Sequence, residues 1–174
     1  MRRFKDRLQI ARFLLLLLSG AVALSVVAAP LLASWGHTLS AAFIYLIFSP
    51  VCHQLPHRSF ALHGFPWAVC NRCAGIYCGF FAGSLLPLGR FVRSLSAARR
   101  RTCVLVAAAP LMLDVILPYA GLWTGTPSSR FASGFVFGGM LMGLLVPGAG
   151  EFLSMNRFRR RSGSHFSQPE GGLL

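Results

Sequence analysis

Long apolar runs, rather than an alternating or 3.6-residue stripe, dominate the pattern of this 174-residue chain. Four of them are long enough to cross about 30 Å of hydrocarbon as helices: Phe13–Leu32, Ala74–Phe91, Cys103–Leu122 and Phe131–Val146. A fifth run, Leu39–Val51, has 13 residues, with Pro50 next to its end. It is too short to span and is expected to lie in the interface or re-enter partway. The pattern predicts an all-α integral membrane protein with four transmembrane helices, one short non-spanning helix and a Cys/His-rich loop over residues 51–73. Residues 1–12 read as a basic N-terminal segment, 13–150 as the membrane domain, and 151–174 as a basic, disordered tail.

Charge turns this pattern into a topology. The chain carries 17 Lys and Arg against four acids, a formal charge of +13. In a soluble protein that balance would suggest nucleic acid. Here the basic residues flank apolar runs with no interleaved aromatic platform, so they read as orientation signals and contacts to anionic membrane lipids, and no nucleic-acid partner is expected. Five lie near the N-terminus (Arg2, Arg3, Lys5, Arg7, Arg12), five between the second and third runs (Arg90, Arg93, Arg99, Arg100, Arg101), and four after the last (Arg157, Arg159, Arg160, Arg161). With four spans, these 14 of the 17 fall on one face; counting Leu39–Val51 as a span would scatter them. Both termini are thus expected in the cytoplasm of a bacterial cell, the protein in its inner membrane, and the cysteine loop outside. Trp35, Trp67 and Trp123 fall at the outer boundaries, where indoles favour the headgroup level. A basic start and "VVAAP" also resemble a signal peptide, but the run is long for a signal core and Pro30 stands where a mature chain would begin. An uncleaved anchor is the expectation.

Glycines recur every four residues at Gly75, Gly79 and Gly83, at Gly134 and Gly138, and at Gly139 and Gly143. Such stripes let helix backbones approach closely inside the bundle, or against a protein partner or second copy. Pro110 and Pro118 should bend the third span and free local carbonyls.

The chemistry concentrates in "VCHQLPHRSFALHGFPWAVCNRCAGIYCG", residues 51–79, which hold four of the five cysteines and three of the five histidines. Cys70 and Cys73 stand at the start of a helix, where unpaired N–H groups and Arg72 favour thiolates. Two chemistries use such thiolates. Cys52, Cys70 and Cys73 with an imidazole from His53, His57 or His63 would close a tetrahedral zinc site. Alternatively, Cys70 and Cys73 with Cys52 would exchange disulfides as a membrane thiol oxidoreductase, with quinone as electron acceptor. Cys78 reads as a packing residue, and Cys103 lies at the opposite face. Asp114 is the one acid within a span and so a candidate for catalysis or ion pairing. Arg130, or Arg72, is expected to reach it. With Arg58, these are the three arginines on the outward side, and they offer contacts for an anion or lipid headgroup.

At "CHQ…RSF…CNRCAGIYCG" the sequence resembles the small predicted membrane proteins known as domain of unknown function 2085. The residues that carry the resemblance are Cys52, His53, Gln54, Arg58, Ser59, Cys70, Arg72, Cys73, Gly75 and Tyr77, with Asp114, Arg130 and Gly134 further on. It extends from about residue 45 to 145. Members often carry a glycine after the intramembrane Asp and a glutamine beyond it, where this chain has Val115 and "VILPYAGLW". The resemblance implies a membrane protein and brings no activity.

Overall fold

The computed structural model describes residues 2–123 and 125–164, with side chains described except at 2–8, 90, 93, 119 and 150–164. The elements are α1 (Arg2–Ser34), α2 (Thr38–Phe48), a 3-10 turn (Pro56–Arg58), β1 (Ala61–Leu62), β2 (Phe65–Pro66), α3 (Asn71–Leu85), α4 (Leu88–Ser94), α5 (Ala97–Tyr119) and α6 (Pro127–Ser164). The fold is helical throughout, apart from the two-residue antiparallel hairpin β1–β2. His63 and Gly64 turn that hairpin at φ +51° and +84°, the left-handed pair that suits a tight two-residue connection.

Three helices contain stretches long and apolar enough to cross a membrane: Gln9–Ser34, Ala97–Pro118 and Pro127–Ala149. Their outward faces are greasy. Leu14, Leu17, Leu18 and Leu24 on α1, and Leu105, Val106, Leu113 and Ile116 on α5, are more than half exposed. In water such surfaces would be costly; against lipid tails they are not.

The second expected span requires correction, because Ala74–Phe91 is not one helix. α3 has 15 residues, about 22 Å at 1.5 Å each, short of the hydrocarbon thickness. Pro87 is the cause. It has no N–H for the ladder and pushes the residue before it out of the helical region, and Leu86 is indeed extended at ψ 149°. The chain restarts as the seven-residue α4. At the other end, α6 runs through Pro147 to Ser164, so helix takes up residues 151–164 of the segment expected to be a disordered tail. Residues 165–174 of that tail lie outside the described residues.

α3 and α4 run beside α6 in the same direction. Gly75 faces Phe131, Gly79 faces Phe135 and Gly139, Gly83 faces Gly139 and Met142, and Gly89 faces Val146 and Pro147. Gly134 and Gly138 of α6 return the contact onto Arg72 and Ile76. The two glycine stripes thus mesh within one chain, and a Cβ at Gly83 would stand 2.8 Å from the Gly139 carbonyl oxygen. Close backbone contact of this kind is what holds helices together where lipid removes the hydrophobic drive.

α1 and α5 run the opposite way. Arg12 of α1 donates from Nε to the Ser84 carbonyl at 2.8 Å, and from its terminal nitrogen to Leu85, capping carbonyls that a helix end leaves unpaired. At its far end α1 packs Val26 and Ala29 against Phe48, Ala68, Val69 and Ala74, the most deeply buried cluster. Pro30 frees the Val26 carbonyl by lacking the N–H four residues on, and Ala68 N–H fills the vacancy at 3.3 Å. The cap over residues 49–70 is docked on that freed carbonyl. The bundle therefore has two distinct ends. Arg12, the α4–α5 connection and the end of α6's apolar stretch share one; α2, the cysteine cap and the α5–α6 connection share the other.

Candidate metal centre

Cys52 follows α2 in a tight turn, its N–H and that of Val51 both donating to the Phe48 carbonyl, at 3.0 and 3.1 Å. Gln54 then reverses the chain at φ +50°. Its amide nitrogen donates to the Tyr45 carbonyl at 2.7 Å and to the Ala68 carbonyl at 2.8 Å, tying α2 to the strand that leads into Cys70. The Tyr45 hydroxyl adds a bond to the Pro66 carbonyl. Phe60 packs edge-on against Trp67 and Phe131, closing the hairpin over the start of α6. Trp67 thus belongs to the interior of the cap, while Trp35 and Trp123 are exposed.

These contacts bring Cys52 over α3. Cys70 is the N-cap of that helix, in extended geometry at ψ 161°, and Cys73 stands one turn inside. Cys70 N–H donates to Cys52 Sγ at 3.2 Å. The three Sγ atoms lie within 4.8 Å of one another. A zinc ion with 2.3 Å bonds in tetrahedral geometry holds its sulfurs about 3.8 Å apart, so closure on one ion asks for at most about 1 Å of adjustment. All five cysteines are free thiols. Hydrogen bonds from Cys52 and then Cys73 hold the Cys70 thiol far below its ordinary range, helped by the Cys73 and Arg72 backbone N–H groups.

The histidines separate from one another. All three are exposed, but only His53 lines a cavity of about 430 Å³ that the three cysteines also line, while His57 on the 3-10 turn and His63 at the hairpin tip do not. None of them belongs to the three-sulfur group. Arg58, Arg72 and Arg130, from the 3-10 turn, α3 and α6, line the same cavity.

Asp114 is 2% exposed. Two hydroxyls that sequence reasoning missed donate to its carboxylate: Ser133 to Oδ2 at 2.9 Å and Ser129 to Oδ1 at 3.4 Å. Arg130 approaches it at Gly125, where Arg130 Nε and Asp114 Oδ1 lie 3.2 and 3.5 Å from the place a Cβ would take. Arg72 touches the backbone instead. Pro118, four residues on, leaves the Asp114 carbonyl without its helical donor, and the Arg72 guanidinium supplies one at 2.9 Å. Two prolines in two helices thus each free a carbonyl that holds part of the centre. Cys78 is half-buried within α3, and Cys103 lies at the opposite end.

Residues 52–144, just over half of the chain, match the family described as predicted membrane protein (DUF2085). An uncharacterized protein of Methanocaldococcus jannaschii is 30% identical over 131 residues, covering 71% of this chain and 83% of the relative. Another, of Methanothermobacter thermautotrophicus, is 31% identical over 91 residues, covering 52% of this chain and 80% of the relative. No solved structure matches.

Proposed function

This chain belongs to the DUF2085 family of predicted membrane proteins, and from that premise we propose that it is an integral membrane metal-binding protein whose Cys52, Cys70 and Cys73 hold a zinc ion outside the cytoplasm. The observation that carries the reading is the convergence of the three sulfurs, from two segments 17 residues apart, to within 4.8 Å. Zinc suits the set because it favours tetrahedral thiolate and imidazole ligands and has no redox chemistry of its own. The Cys70 N–H bond to Cys52 supplies the outer-shell support that metal-bound thiolates use. His53, on the wall of the same cavity, is the histidine nearest the chemistry, and the fourth position falls to it or to an incoming ligand.

The orientation belongs to the same proposal. α3 and α4 together follow α6 along its apolar stretch, so the broken segment counts as a crossing and the chain crosses four times. The arginine-rich end then faces the cytoplasm with both termini, and the cysteine end faces outward.

The test is to purify the full chain in detergent without chelator, measure metal by elemental analysis, and count free thiols after denaturation with and without reductant. About one zinc per chain, lost on Cys73→Ser, is expected. A metal-free protein with a reducible Cys70–Cys73 bond would sink the metal reading and favour thiol–disulfide exchange.

A further inference from the structure

We infer that the ligand of this centre is a phosphate-bearing anion, gripped by Arg58, Arg72 and Arg130 at the metal's open position; the inference rests on the metal reading above. The positive-inside bias disfavours arginines at this end, yet three are present, and all three line a cavity that the three cysteines also line. They come from three separate elements, so no local sequence preference explains their meeting.

Among the described residues no carboxylate lines the cavity, and the buried Asp114 carboxylate accepts bonds from Ser129 and Ser133. Asp114 stands close to Arg130 and offsets one positive charge. Three thiolates around a divalent ion carry a net charge of minus one, which offsets a second. A site that is positive on balance is left, in a cavity of about 430 Å³, within the roughly 300–1,000 Å³ typical of small-molecule sites.

Arg72 supplies the most specific sign. Its terminal nitrogen is anchored on the Asp114 carbonyl, so the guanidinium is already positioned. Its Nε is buried and has no hydrogen-bond partner among the described residues. A buried N–H of a charged group without an acceptor is costly and points to a ligand that supplies one. The Arg58 and Arg72 guanidinium groups and a metal already offer more contacts than the two oxygens of a carboxylate can take, whereas a phosphate group can meet them all.

Phosphate could arrive on a lipid headgroup or on a soluble ester, and one experiment separates these. The full chain is placed in phosphatidylcholine nanodiscs and loaded with cobalt(II), whose d–d spectrum reports the fourth ligand. Inorganic phosphate is expected to change the spectrum saturably. Arg58→Ala, on the exposed turn, is expected to weaken that response roughly tenfold with cobalt stoichiometry unchanged. Nanodiscs containing phosphatidic acid that give the same spectrum without added phosphate identify a headgroup as the source; a response to soluble phosphate alone identifies a soluble ester. A chain that binds one cobalt but ignores both probes, with a spectrum that instead changes on His53→Ala, overturns the inference and leaves the metal site standing. A chain that takes up no cobalt overturns both.

Discussion

At Asp114 a carboxylate sits where hydrocarbon would make it cost several kcal/mol, and two serine hydroxyls one helical turn apart on α6 are among the groups that lower that cost. Removing the nearer one, Ser133→Ala, leaves a buried acceptor short of a donor. It should lower stability by about 1–3 kcal/mol, read as a lower unfolding midpoint in detergent. An unchanged midpoint would show that the carboxylate does not depend on Ser133. Gln54 bears on the metal in a similar indirect way. Gln54→Ala removes both bonds that hold the Cys52 turn to the Cys70 strand, and should weaken zinc binding about 10–100-fold in chelator competition without removing a ligand. The convergence of the cysteines was legible because C-x2-C at a helix start places two thiols one turn apart, with Cys52 on a short connection to them. The histidines were not sorted, because His53, His57 and His63 are near neighbours in sequence. Gln54, left-handed at φ +50°, stands between His53 and His57, and His63 itself is left-handed at φ +51°; spacing does not encode φ. Ser129 and Ser133 escaped notice as ordinary small residues. The one available signal was their four-residue spacing beside Arg130, on the helix expected to meet Asp114.

Among the elements, apolar length alone identified three membrane-length helices and misjudged the segment containing Pro87. The pattern "LLPLG" carried the warning, since a proline and its extended predecessor end a helix whatever the hydrophobicity around them. Glycine spacing was more informative, and its consequence can be tested by comparing two positions. In Gly79→Ala the new Cβ would strike the carbonyl of Phe135 on α6, and backbone cannot move aside as a side chain does. A loss of at least about 1–3 kcal/mol is expected, together with disturbance of the metal site at the top of the α3–α6 contact. Gly148→Ala meets nothing within 4 Å and should be neutral, or stabilising by up to about 1 kcal/mol through helix propensity. Equal melting temperatures for the two variants would mean that the interlocked stripes do not hold α3 to α6. The prolines show the opposite economy. Pro30 and Pro118 weaken their own helices, yet each freed carbonyl becomes a fixed acceptor for another segment.

For the whole molecule, the decisive question is whether the broken α3–α4 segment completes a crossing. If it does not, the three remaining membrane-length helices put the N-terminus and the end of α6 on opposite sides. The basic clusters near the N-terminus and after α6 would then be divided between them, against the bias that orients membrane proteins. The contacts favour the crossing: Arg12 reaches the end of α3, while Gly89 of α4 meets α6 at Val146 and Pro147, near the far end of its apolar stretch. Single reporter cysteines can read this in intact cells. Ala61→Cys, exposed on the hairpin, should react with a membrane-impermeant maleimide added outside. Ala98→Cys, exposed in the first turn of α5, should react only after the membrane is permeabilised. Both variants belong in a background with Cys78→Ser and Cys103→Ser, and labelling is read as the excess over that background, whose remaining native thiols are those of the centre. Labelling of Ala98→Cys but not Ala61→Cys from outside would invert the molecule and place the centre in the cytoplasm. Labelling of both would mean that the α3–α4 segment turns back without crossing, and the glycine-striped contact would then have to be a re-entrant hairpin rather than part of a four-crossing bundle.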